Sequence, residues 1–277
     1  MSPAATHTAR PRVMGIVNVT PDSFSDGGLH DDPEAALARA RRLIAEGADI
    51  LDIGGESTRP GAQAVPAALE IARVVPLIAA IRAESGIPLS IDTMKPEVAR
   101  AAVAAGATLW NDVTALSFAP DSLDAAAQLG CDVVLMHMQG DPRTMQHKPQ
   151  YADVAGEVAE FLSRRAEAAM TAGVARGRIW LDPGIGFGKH LTGHNLPLLA
   201  SLDRIVALGF PVLLGVSRKA FIGRLDPAGA GPTDRLGGSI AGALWGASQG
   251  VAAVRVHDVR ETVQALNVWA AITEARP

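Results

Sequence analysis

Short runs of β-branched and other apolar residues alternate along the chain with Ala-rich stretches whose apolar positions recur at helical spacing. The runs predict strands at 13–19, 49–53, 89–92, 108–113, 132–138, 179–182, 212–216 and 253–257. The stretches between them predict helices that include 33–46, 69–84, 96–105, 154–172 and 235–249, with 260–274 closing the chain. Strand–helix units repeated in this way imply a parallel sheet, and eight of them close most economically into a barrel. The expected fold is therefore α/β, a single (β/α)8 TIM barrel with long loops after strands 1 and 2. A doubly wound open sheet is the alternative. It would carry a Gly-rich phosphate turn after the first strand, and here Asn18-Val19-Thr20-Pro21-Asp22-Ser23 stands in that place. Helix punctuation agrees with the frame: Pro33-Glu34 and Pro96-Glu97 open helices, while Gly47 and Gly106 stand where helices should stop.

Length and composition sharpen this picture. The 277 residues suit one barrel, and 48% apolar with 19% charged residues is enough to build a large core. No composition shift marks a boundary, so a barrel domain spanning 13–277 is expected behind a flexible tail at 1–12. A net charge of −4 without a basic block gives no nucleic-acid footprint. No apolar run approaches the roughly 18 residues of a membrane helix, and the tail has no apolar core of a secretory signal. Cys131 is the single cysteine, which excludes an internal disulfide and fits a cytoplasmic protein.

Polar residues gather where each strand ends. Asn18, Asp52, Asp92, Asn111-Asp112, His137, Asp182, Ser217-Arg218-Lys219 and Arg255 with His257 close the strands in order, and that face of a barrel holds the active site. An isolated Asp after a strand often caps the next helix, which is the expectation for Asp112 and Asp258. Asp92, Asn111 and Asp182 instead end apolar stretches, where a carboxylate is costly unless paired, and a ligand with several N–H donors would pair them. Arg255 and His257 share one strand face and suggest an anion such as phosphate, with a salt bridge to a neighbouring strand as the structural alternative. His190 and His194 lack a third ligand nearby in sequence, so a zinc site is not expected, and any metal would be Mg²⁺ held by oxygen ligands plus substrate phosphates. The segments 20–28 and 54–61 are polar and Gly/Pro-rich, as mobile lids are.

These residues together resemble the dihydropteroate synthase family. Asn18-Val19-Thr20-Pro21-Asp22-Ser23-Phe24-Ser25-Asp26-Gly27 and Gly54-Gly55-Glu56-Ser57-Thr58-Arg59-Pro60-Gly61 match its two signatures. Ser90-Ile91-Asp92-Thr93, Asn111-Asp112, Met136-His137, Asp182-Pro183-Gly184-Ile185-Gly186-Phe187-Gly188-Lys189, Ser217-Arg218-Lys219 and Arg255-Val256-His257-Asp258 continue in register. The departures are an Ile185 where the family often has Phe and a loop after Lys189 that looks one residue longer.

The resemblance implies condensation of (7,8-dihydropterin-6-yl)methyl diphosphate with 4-aminobenzoate in folate biosynthesis, by an SN1-like substitution. It implies that Asp92, Asn111 and Asp182 hold the pterin edge, with Lys219 at the ring carbonyl and Met136 and Phe187 as walls. Gly215, Val256 and Thr58 would complete the pterin diphosphate site. Arg255 and His257 would grip the diphosphate, Asp22 and Lys219 would join them in catalysis, and Asn18 would ligate Mg²⁺. Phe24, Thr58, Arg59, Pro60 and Ser217 would form the aminobenzoate pocket. A homodimer is implied as well. The rival functions are a methyltetrahydrofolate-dependent corrinoid methyltransferase, which should lack the Thr58-Arg59-Pro60 and Ser217-Arg218-Lys219 sets, and a non-catalytic pterin-binding paralogue, which should have lost loop or anion residues.

Overall fold

The computed structural model describes residues 10–19, 33–57, 63–140, 145, 148–228 and 231–275. Its strands are β1 (Arg12–Asn18), β2 (Ile50–Gly54), β3 (Leu89–Asp92), β4 (Leu109–Asp112), β5 (Asp132–Met136), β6 (Ile179–Asp182), β7 (Leu213–Leu214) and β8 (Ala253–Val256). All pair in parallel in the order β6-β5-β4-β3-β2-β1-β8-β7. A parallel bridge between Leu181 and Val212 joins the two ends, so the sheet closes into the expected (β/α)8 barrel.

Ten α-helices are described between and after the strands: α1 (Pro33–Ala45), α2 (Ala67–Glu84), α3 (Pro96–Ala104), α4 (Ser122–Leu129), α5 (Val154–Thr171), α6 (Asn195–Ala200), α7 (Leu202–Val206), α8 (Ala220–Leu225), α9 (Leu236–Ser248) and α10 (Val259–Glu274). Pro96 opens α3 as predicted, and Gly47 and Gly106 sit just past α1 and α3 with φ of 98° and 120°. The expected tail is shorter than 1–12 on its inner side. Arg12 opens β1, and Arg10 pairs with Asp49 at 2.7 Å. No helix among the described residues is long and apolar enough to cross a membrane.

Strand alternation divides the core in two. One set of side chains (Val13, Val17, Leu51, Ile53, Leu89, Ile91, Trp110, Leu135 and their equivalents) packs outward beneath the helices. The other set points into the barrel, where Met14, Ile50, Leu109, Val134, Trp180, Leu213 and Ala253 form a separate apolar cluster at its base. Side chains two or four residues further along each strand rise in the same inward row. That arithmetic, with Ser90 beside Asp52 beginning the row on β3, places Asn18, Asp52, Asp92, Asn111, Met136, Asp182 and Arg255 above a dry floor, at the C-terminal mouth.

Candidate active site

A narrow slot at the mouth is lined by Ile16, Asp92, Asn111, Val113, Met136, Asp182, Phe187, Gly215, Ser217, Lys219, Arg255 and His257. Most of the residues singled out by strand position thus meet around one space. Asn18 ends β1 half-buried, against Gly54 at the end of β2. Asp22, Phe24, Thr58, Arg59 and Pro60 lie outside the described residues. Val256 belongs to the outward-packed cluster, so its side chain faces away from the slot and only its backbone can border it.

The electrostatic centre of the slot is a triad that sequence reasoning did not assemble. Arg255 Nε donates to Asp52 Oδ2 at 2.6 Å, and its Nη2 donates to Asp92 Oδ2 at 2.7 Å. Asn111 Nδ2 donates to the same Asp52 oxygen at 3.2 Å, which leaves the Asn111 carbonyl oxygen as the acceptor turned to other partners. Asp52 is wholly buried and belongs to the site, although the sequence reading stopped at naming it as a strand end. Counting by twos from Ile50 was the available signal. The salt-bridge alternative for Arg255 is therefore real, and it coexists with a place in the slot lining.

Asp52 Oδ1, Asp92 Oδ1 and Ser90 Oγ are buried without a hydrogen-bond partner. Buried acceptors in this state are expensive unless something donates to them, so the slot is built to receive N–H or O–H groups. Burial pushes the Asp92 carboxyl up to about 7, with the Asp52 charge adding to the rise and Arg255 opposing it. Burial works against the charge on Arg255 too, but Asp52 and Asp92 outweigh it and hold the guanidinium charged. Asp182 is also raised by burial, opposed by the Gly184 N–H at 2.7 Å and by the charges of Lys219, Lys189 and Arg255.

Lys219 faces these carboxylates from the loop after β7. Burial lowers its pKa to about 8, with Asp182 opposing the fall. Its Nζ donates to the carbonyl oxygen of Ile185 and lies 4.3 Å from the centroid of the Phe187 ring. Ser217 Oγ lies 3.0 Å from His257 Nδ1 and accepts from the His257 N–H at 3.1 Å, so the ends of β7 and β8 are tied together.

Asp112 and Asp258 take structural roles, although neither caps the following helix as expected. Asp112 points outward from β4 and accepts from the N–H groups of Thr114 and Leu116 at 2.7 and 2.8 Å. Asp258 stands at the N-terminus of α10, but its side chain turns to Arg218 rather than capping the helix. Cys131 is buried with its thiol pushed up to about 11 by burial, which makes it inert filler.

A wider groove of about 490 Å³ adjoins the slot, sharing Val113 and Met136 with it. On its wall, Lys95 Nζ bridges Glu56 at 2.5 Å and Glu70 at 2.6 Å. Glu56 Oε1 also accepts from the Val65 N–H at 2.8 Å, so one carboxylate holds both ends of the segment between β2 and α2.

Among the described residues no group of three or more His, Cys, Asp or Glu side chains could cage a metal. A single amide oxygen at Asn18 fits only a hard cation that takes its remaining ligands from water and substrate phosphate, which is how Mg²⁺ is commonly held.

The family described as pterin binding enzyme matches residues 14–257. The dihydropteroate synthase of Escherichia coli K12 is 47% identical over 268 residues, covering 97% of this chain and 94% of that protein. The Xanthomonas albilineans dihydropteroate synthase solved with 4-aminobenzoic acid is 55% identical with a TM-score of 0.91, covering 98% of this chain and 95% of that one. A structure of the X. albilineans enzyme with 7,8-dihydropteroate gives 51% and 0.87, with 98% and 96% covered.

Proposed function

The chain belongs to the dihydropteroate synthases within the pterin-binding enzymes, and we propose that it condenses (7,8-dihydropterin-6-yl)methyl diphosphate with 4-aminobenzoate. The products are 7,8-dihydropteroate and diphosphate, which makes it a transferase of folate biosynthesis that forms a carbon–nitrogen bond. The observation that carries this is the set of buried acceptors in the slot: the unpartnered oxygen of Asp92, the carbonyl of Asn111, and Asp182. A pterin edge offers adjacent N–H groups that such acceptors take in pairs.

Asp182 and Asp92 receive the amino and ring N–H groups, and Asn111 accepts beside them. Lys219 donates to the ring carbonyl, Met136 and Phe187 close on the ring faces, and Gly215 leaves room at the rim. Arg255 holds the Asp52 and Asp92 charges in place, and with His257 it meets the diphosphate. Asn18 would hold Mg²⁺, which when bound neutralises diphosphate charge. Ser217 borders the space for the aromatic amine, which Phe24, Thr58, Arg59 and Pro60 would complete, while Asp22 would act with the first loop at the reacting centre.

The reaction then needs no protein nucleophile. The methylene C–O bond breaks with its electron pair leaving on diphosphate, and electron donation from the pterin ring carries the positive charge at carbon. The arylamine nitrogen lone pair forms the new C–N bond, and its surplus proton passes to solvent or to diphosphate. Protein charges preorganised around the leaving group lower the barrier to ionisation. A substrate labelled with ¹⁸O at the bridging position tests this order: label should scramble into non-bridging positions without amine, and retention would favour direct displacement. Formation of 7,8-dihydropteroate, followed by mass spectrometry, tests the reaction itself, and a folded preparation that makes none would reject it.

A homodimer also belongs to this proposal. Residues 236–249 carry no charge, and Trp245, Val268 and Ile272 expose 44%, 56% and 62% of their surface along α9 and α10. Sedimentation equilibrium should give twice the chain mass, and a monomer would refute it. A cytoplasmic location is in keeping with the single unpaired cysteine and the chemistry.

A further inference from the structure

We propose that Lys189 is a positioning residue for the pterin step, fixing the loop 183–188 from inside so that Ile185 and Phe187 meet Lys219 from outside. The proposal rests on the pterin slot described above but concerns Lys189, to which that reading assigns no role. Lys189 has no exposed surface, and among the described residues no carboxylate forms an ion pair with its nitrogen. Instead Nζ lies 2.9 Å from the Gly184 carbonyl oxygen, 3.0 Å from that of Phe187, 3.3 Å from that of His137 and 2.9 Å from His137 Nδ1. A buried lysine held only by neutral acceptors does not form an ion pair, and it is too deep to snorkel to water. Its nitrogen serves as the hub of a ring of carbonyls.

The sequence makes that ring possible. Gly184 and Gly188 have φ of 66° and 57°, and a Cβ at either would meet backbone of the 137–139 segment at 1.9 and 2.4 Å. Only glycine allows the loop to curl this tightly against the end of β5. The curl turns the carbonyls of Gly184 and Phe187 inward to Lys189. The carbonyl of Ile185, between them, accepts from Lys219 Nζ, and the Phe187 ring lies against the same nitrogen. Two lysines thus hold opposite sides of one short loop, and only the outer one faces the slot. Asn195 Oδ1, accepting from the Gly186 N–H at 2.8 Å, and the Tyr151 hydroxyl, donating to the Gly188 carbonyl at 2.8 Å, secure the remaining turns.

The charges around the hub are few. His137, Asp182 and Lys219 face Lys189, and burial drives its pKa well below the ordinary value, with Asp182 opposing. Burial holds His137 down at about 3, so its ring is neutral and free to accept through Nδ1. Lys219 in turn faces Asp182, Asp92 and Arg255, and burial is the main cause of its lowered pKa. Phe187 adds to that burial, while its ring face and the Ile185 carbonyl favour the charged amine, so loosening the loop changes the Lys219 pKa.

The test uses Lys189→Met in the full chain, which keeps volume and removes the donors. The pH dependence of Lys219 acylation, mapped by peptide mass spectrometry, reports the titration of Lys219 without any pterin. The midpoint should lie near 8 in the wild type and move away from that value in the variant. Affinity for 6-hydroxymethylpterin should fall on the order of ten- to a hundredfold, while KM for the amine at saturating pterin diphosphate stays nearly constant. A lower melting temperature with an unmoved Lys219 midpoint and unchanged pterin affinity would reduce Lys189 to a structural residue and overturn the proposal. Should Lys189→Met not fold, Phe187→Leu must move the same midpoint, and an unmoved midpoint there overturns it equally. A shifted midpoint in a protein whose wild type binds no pterin would instead reject the functional reading and leave the positioning intact.

Discussion

Arg255 Nη2, on β8, lies 2.7 Å from Asp92 Oδ2 on β3, and Asp52 on β2 closes the triangle from 2.6 Å. One guanidinium therefore spans strands from opposite ends of the sequence and sets the charge of the slot. Asp52, Asp92 and Asp182 carry three negative charges when ionised, against the two positive charges of Arg255 and Lys219. The balance leaves a slot that attracts N–H donors while still presenting positive charge at its rim.

That triangle changes what losing Arg255 should do. Arg255→Ala leaves two buried carboxylates without their cation, and breaking a buried pair typically costs about 3–5 kcal/mol. Melting temperature should fall clearly, and calorimetry should show weakened binding of free pterin as well as of the diphosphate-bearing substrate. The second loss should be larger, because it adds the anion contact. Unchanged affinity for both would remove Arg255 from the site.

Pterin affinity should peak between pH 7 and 8. Asp92 titrates at about 7, so below that pH it takes a proton and stops accepting from the pterin. Lys219 titrates at about 8, so above that pH it loses the proton it donates to the ring carbonyl. Asp52→Asn removes a neighbouring negative charge, and should move the acid limb to lower pH. A limb that stays or rises in that variant would contradict the coupling.

Asp182→Ala should nearly abolish pterin binding. Each ring donor left unpaired costs about 1–3 kcal/mol, roughly ten- to a hundredfold in affinity. Titration calorimetry with 6-hydroxymethylpterin reads this directly, and wild-type affinity in the variant would assign the pterin edge to other residues.

Lys95→Met should destabilise the fold by about 3–5 kcal/mol, since Glu56 and Glu70 lose the cation between them. Glu70 is fully buried, and burial already pushes its pKa upward. Urea denaturation should show the loss, and the deficit should narrow at acid pH as the orphaned Glu70 is neutralised. A deficit independent of pH would contradict the ion-pair explanation.

Much of this site was legible because a strand has period two. Once Met14, Ile50, Ser90, Leu109, Val134, Trp180, Leu213 and Ala253 are taken as the inward row, counting by twos leads to Asn18, Asp92, Asn111, Met136, Asp182 and Arg255. The same count sends Asp112 and Val256 outward. Asp52 sits in that row too, but its value depends on Arg255, 203 residues away, and no local pattern announces a partner across a barrel. Lys189 was visible only as the end of a Gly-rich run, because its partners are backbone carbonyls that any sequence would supply. The strand predicted at 212–216 shrinks to Leu213–Leu214, where the chain leaves the ladder at Gly215 to build the slot wall. Between β6 and β7 the pattern breaks into the short α6 and α7, which Ser201 separates before a full amphipathic repeat can register.

Release of diphosphate from (7,8-dihydropterin-6-yl)methyl diphosphate, measured with Mg²⁺ and increasing 4-aminobenzoate, tests the central claim most directly. Release should rise with the amine to saturation, match dihydropteroate formation one for one, and vanish in Asp182→Ala. Release that ignores the amine, or none from folded protein, would contradict it.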